Sequence, residues 1–133
     1  MLFRSGTYFP KDPPARTTVV VNQPLANADG LIEVAVIAVP TGGERVVVHP
    51  SDWVRSPAPY SYGIRSGNTL FLSGLVSRNG KDNSNVKGDV TAQTKVVLDN
   101  AAAILKAGGM GLDRKSTRLN SSHIQKSRMP SSA

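Results

Sequence analysis

The chain has 133 residues, no cysteine and a formal net charge of +7. The missing cysteines exclude a disulfide framework and thiolate metal sites, and no apolar run reaches the ~20 residues needed to cross a bilayer. The charge invites a nucleic-acid or anionic-membrane partner, but Arg4 carries one unit of it and residues 113–133 carry five Lys/Arg against Asp113, which leaves +2 for residues 6–112.

In chain order, residues 1–5 read as translated sequencing-adapter sequence rather than gene. Pro13-Pro14 breaks local structure and delivers the chain extended. Residues 17–22 are β-branched and compact, which predicts a strand. Residues 27–30 carry turn residues. Residues 31–39 form a long apolar run with one charge, Glu33, which predicts a buried strand. A turn at residues 40–43 precedes a short strand at 45–48. Residues 49–59 hold three prolines and little periodicity, and read as a linker that Trp53 anchors to a surface.

Residues 60–65 and 69–73 flank Ser66-Gly67-Asn68, the pattern of a β-hairpin. Residues 78–88, with Asn79-Gly80 and Lys87-Gly88, read as a loop. Asp89 can cap the helix that follows, in which Val90, Val97, Ala101 and Ile104 share a face flanked by Leu98 and Leu105. Gly108-Gly109 ends it. Residues 113–133 again match translated adapter, and the competing reading is a basic, Ser-rich disordered tail. The order predicts an α+β fold with one helix packed on one face of a mixed sheet.

Arg16 opens a strand and offers a planar fork for a carboxylate; the competing reading is a solvated strand-end arginine. Glu33 stands among Leu31, Ala35, Ile37 and Val39 on alternate positions, so it needs a partner or a shifted pKa, unless that side faces solvent at a sheet edge. Tyr60 and Ser73 stand on the hairpin. The Ser73-Gly74 step can expose a hydroxyl beside a backbone N–H, or can be a turn alone. His49 is the only histidine in residues 6–112, so no Ser-His-Asp set and no zinc site is expected. No phosphate-binding glycine loop is present.

Two groups of stretches resemble the Rid/YjgF family of reactive-intermediate deaminases. Pro13-Pro14-Ala15-Arg16-Thr17-Thr18-Val19 with Ile32-Glu33-Val34-Ala35-Val36-Ile37-Ala38-Val39 resembles the C-terminal half of such a domain. Ala58-Pro59-Tyr60-Ser61, Gly67-Asn68-Thr69-Leu70-Phe71-Leu72-Ser73-Gly74 and Gly88-Asp89-Val90-Thr91-Ala92-Gln93-Thr94 through Asn100 resemble the N-terminal half. The halves stand in inverted order. The reading is a tandem fragment, with one repeat ending over residues 6–48, a linker at 49–59 and a second repeat beginning over 60–112; a circular permutation is the alternative.

The resemblance implies a chorismate-mutase-like α+β fold, a homotrimer or pseudo-trimer of repeats with sites in the clefts between subunits, and a cytoplasmic location. It implies cofactor-free and metal-free hydrolysis of imine or enamine carboxylates such as 2-aminoacrylate, with no membrane and no nucleic-acid partner, by the intact protein rather than by this fragment. Arg16 would clamp the substrate carboxylate and Glu33 would orient or activate water. Tyr60, Ser73 and the backbone of Gly74 would line the pocket, with Thr18 at a position often occupied by cysteine. Leu75 departs from a glutamine common after the Ser-Gly pair. A non-catalytic metabolite-binding or regulatory paralogue and an RNA-acting relative are the alternatives.

Overall fold

A computed structural model describes residues 5–21 and 29–114. The expectations attached to residues 1–4 and 115–133 therefore lie outside the described residues. A short helix α1 (Ser5–Tyr8) precedes three strands, β1 (Val46–Val48), β2 (Gly63–Ser66) and β3 (Thr69–Leu72). Helix α2 (Val90–Ala107) and a 3-10 turn (Leu112–Arg114) follow. The sheet has the order β1-β2-β3, and both pairings are antiparallel, with Val47 opposite Ile64 and Ile64 opposite Phe71. The α+β class is therefore as expected, although every described strand pairing is antiparallel rather than mixed.

The hairpin forms where the sequence places it. Gly67 adopts φ +54° in the two-residue connection, a region that disfavours a Cβ. Helix α2 starts at Asp89, whose carboxylate accepts from Ala92 N at 2.8 Å, meeting one of the otherwise unpaired first-turn donors. It ends in a paired set of bonds, Gly109 N to Lys106 O at 3.0 Å and Met110 N to Leu105 O at 2.8 Å. The left-handed φ of Gly109, +74°, makes that terminus possible. Lys106 in the last turn complements the helix dipole.

The core lies between this helix and the sheet. Ile104 is fully buried and packs with Val48 and Tyr62, with Trp53, Tyr60, Leu70, Leu72 and Leu75 around them. Only the C-terminal half of the expected helix face is covered: Val90 and Leu98 are exposed at 79% and 52%. Burial of the ring holds the Tyr62 phenol above its ordinary 10.0; Tyr60 adds to the shift and the Arg78 charge opposes it.

Two expected strands are corrected. Within 17–22 the described residues 17–21 form no strand, and neither do residues 31–39. Val20, Leu31 and Val36 are at least 80% exposed. An apolar strand needs a neighbour to pair its backbone and a layer to bury its side chains, and the described residues supply neither. The segment before residue 17 does dock. Pro13 and Pro14 have no N–H to donate, and bond through their carbonyls, which accept from the Ser61 hydroxyl and from Ser61 N at 3.1 Å respectively.

Candidate active site

The docked segment 13–17 meets the hairpin at its two outer ends, and four of the expected site residues meet there. Arg16 N donates to Ser73 Oγ at 2.8 Å, and Gly74 N donates to Arg16 O at 3.2 Å. The Arg16 guanidinium carbon lies 6.0 Å from the centroid of the Tyr60 ring, within cation–π range. Residues separated by more than forty positions are thus held as one cluster by backbone contacts.

Ser73 is the pivot. It is 4% exposed, and its hydroxyl donates to Ser61 O at 2.6 Å while accepting from Arg16 N. Both sides of the hydroxyl are engaged by backbone, so in this arrangement it holds the chain. Ser61, also buried, ties the same two segments through its own hydroxyl and N–H. Gly74 packs against Thr17: a Cβ there would come within 3.0 Å of Thr17 Cγ2. Thr18 is exposed. Glu33 lies on the exposed coil of residues 31–39, so the apolar strand face expected around it is not formed.

Tyr60, Gly74 and Leu75 line a cleft together with Arg78, Asn83 and Asn100. Its floor is aromatic: Tyr60 and Trp53 meet the Tyr62 ring edge-on at centroid distances of 5.9 and 5.2 Å, and His49 stacks on it at 5.5 Å. His49 Nε2 lies 3.0 Å from Trp53 O, and the Tyr62 hydroxyl donates to Val54 O at 3.1 Å. Trp53 thus has the anchoring role expected of it. Among the described residues no group of three or more His, Cys, Asp or Glu could hold a metal ion. Sequence reading missed Ser61, Tyr62, His49, Arg78 and Asn100.

A family model described as endoribonuclease L-PSP matches residues 52–116. This stretch covers the hairpin, the loop and helix α2. Over 54 residues the chain is 48% identical to a RutC family protein of Sulfurisphaera tokodaii, covering 41% of this chain and 43% of that protein. Over 55 residues it is 46% identical to a RutC family protein of Pyrococcus horikoshii, covering 41% and 44%. Residues 52–116 belong to the Rid/YjgF family.

A 2-iminobutanoate/2-iminopropanoate deaminase of Dermatophagoides farinae is 33% identical over 51 residues, covering 38% of this chain and 40% of that protein. Among solved structures, a putative endoribonuclease of Thermotoga maritima is 31% identical with a TM-score of 0.47, covering 51% and 54%. A Rid family protein of Yersinia pestis is 28% identical with a TM-score of 0.48, covering 53% and 56%. The chain spans about half the length of the curated relatives it matches. Tyr60, Ser73 and Gly74 fall inside the matched stretch; Arg16, Thr18 and Glu33 precede it. No described helix is long and apolar enough to cross a membrane.

Proposed function

We propose that the full-length protein hydrolyses enamine and imine carboxylates of the 2-aminoacrylate type to a keto acid and ammonia. The observation that carries this reading is the meeting of Arg16, Tyr60, Ser73 and Gly74 at one end of the hairpin. The deaminase named in Dermatophagoides farinae supports it. We read residues 6–48 as the end of one repeat and 60–112 as the beginning of the next, in a trimer or pseudo-trimer of repeats. Docking of residues 13–17 on the hairpin supports a site composed from both.

The chemistry asks little of the protein. An imine carbon is already electrophilic, so a bound substrate, a placed base and a water suffice. Arg16 holds the substrate carboxylate through its planar fork, with its backbone pinned by Ser73 and Gly74. An enamine substrate first tautomerises to the imine by moving its N–H proton to C3. Glu33 takes a proton from water as the water oxygen bonds to the imine carbon, and returns that proton to the nitrogen as the C=N π pair moves there. Glu33 then takes the hydroxyl proton of the carbinolamine and passes it to nitrogen as the C–N bond breaks, which releases ammonia and leaves the carbonyl of the keto acid. Tyr60 lines the pocket beside Arg16.

The test is keto-acid release by the full-length protein from enzymatically generated 2-aminoacrylate. Release above the uncatalysed rate supports the proposal. Tight keto-acid binding without turnover would favour a metabolite-binding paralogue. The description of the matched family as an endoribonuclease favours an RNA-acting reading as the second candidate. The +2 charge of residues 6–112 and the burial of the aromatic rings against one another give no basic stacking platform for it. Cleavage of an oligoribonucleotide at a rate exceeding imine hydrolysis would reverse that ranking.

A further inference from the structure

The cleft lined by Tyr60 and Gly74 also carries a second guanidinium, that of Arg78. Its backbone is fixed from both sides: Arg78 N donates to Val76 O at 2.8 Å, and Asn100 Nδ2 donates to Arg78 O at 2.7 Å. The side chain is partly buried and donates to Asn83 Oδ1 at 3.3 Å, a neutral acceptor. The ion pairs of the described residues join Arg65 to Glu44, Lys81 to Asp52 and Lys95 to Asp99. None of them involves Arg78. A guanidinium has five N–H donors, and Asn83 engages one edge of this one, so other donors remain to hold an anion.

Its position gives that anion a place. The narrow cleft beside Tyr60 shares part of its lining with a groove of about 360 Å³ between the 78–86 loop and helix α2. Arg78, Asn79 and Asn100 line both spaces. Lys81, the other cation on the groove, is engaged by Asp52 at 3.4 Å. A molecule seated at Tyr60 with its carboxylate toward Arg16 would extend its far end toward Arg78. The fork geometry of Arg matches a carboxylate bidentately, and Asn83 already orients one edge of the fork.

We propose that Arg78 recognises a second carboxylate, so that the site selects imines derived from dicarboxylic amino acids over those with a neutral side chain. This rests on the proposed imine site and adds its substrate class. The probes are stable keto acids bound to the full-length protein and measured by calorimetry. One is 2-oxoglutarate and the other 2-oxohexanoate, which has an alkyl end in place of the second carboxylate. The expected preference for 2-oxoglutarate is about tenfold to a hundredfold, the range of one charge-assisted hydrogen-bonded pair. Arg78→Gln should remove that preference while leaving 2-oxohexanoate binding unchanged, whereas Arg16→Ala should weaken both. The comparison of the two ligands on the unaltered protein stands even if Arg78→Gln fails to fold. Equal binding of the two keto acids, with Arg16→Ala still weakening both, overturns the role of Arg78 and leaves the imine site standing. Binding of neither, or of both with no effect of Arg16→Ala, overturns the two together.

Discussion

The Ser73 hydroxyl stands between two backbone groups, the part-buried Arg16 N and the buried Ser61 O. Its loss leaves both without that partner, and each unmet buried group costs about 1–3 kcal/mol. Ser73→Ala should therefore lower the stability of the full-length protein by at least that amount in a urea melt. Ser73→Thr, which keeps the hydroxyl, should retain more. A melt unchanged by Ser73→Ala would mean that segment 13–17 docks by other contacts. At Arg16 the fork matters more than the charge, so Arg16→Lys should restore little of the substrate capture that Arg16→Ala loses. Arg16, Tyr60, Ser73 and Gly74 were legible in the sequence as residue types. Ser61 was not, because its role lies in bonds to Pro13 and Pro14 carbonyls some forty-eight positions away, and a carbonyl acceptor leaves no mark in a side-chain pattern.

Among the elements, the loop of residues 78–88 and the segment around Trp53 depend on one close approach. A Cβ on Gly80 would overlap the Trp53 indole, and Gly80 O accepts from Val54 N at 2.9 Å. Gly80→Ala should cost about 1–3 kcal/mol, the usual range for overpacking, and should change the Trp53 fluorescence; an unchanged spectrum and melt would refute the contact. Tyr62 sets a pH dependence. Its folded-state value is raised above 10.0, so the stability it contributes is complete below that value. It is lost as pH climbs through the folded value, because the phenolate is disfavoured in the core. Melting temperature should fall above about pH 10 more steeply for the parent than for Tyr62→Phe. Helix α2 was legible to its ends, since Asp89 and Gly108-Gly109 act through local bonds. The strands expected at 17–22 and 31–39 were not realised in the described residues, because β-branched composition specifies a strand only when another strand is present to pair with it.

At the scale of the molecule, the four buried apolar residues of the described core are Val48, Tyr62, Ile104 and Leu105. Against them stand the exposed Val20, Leu31, Val36 and Val90, a surface that soluble monomers cover. The isolated 133-residue chain should accordingly aggregate or melt without cooperativity, as seen by light scattering and circular dichroism. A sharp cooperative melt of soluble, trimeric material would contradict that. The central claim is that Arg16 and Glu33 serve one imine-hydrolysing site together with the hairpin residues. The measurement that tests it most directly is the rate of keto-acid release from enzymatically generated 2-aminoacrylate by the full-length protein and two variants. Arg16→Ala should weaken substrate capture by about one to two powers of ten, from a charged hydrogen bond of about 1.5–3 kcal/mol. Glu33→Gln should slow turnover more than it weakens binding. A clearly active parent whose rate is untouched by both substitutions would contradict the account and place the site elsewhere.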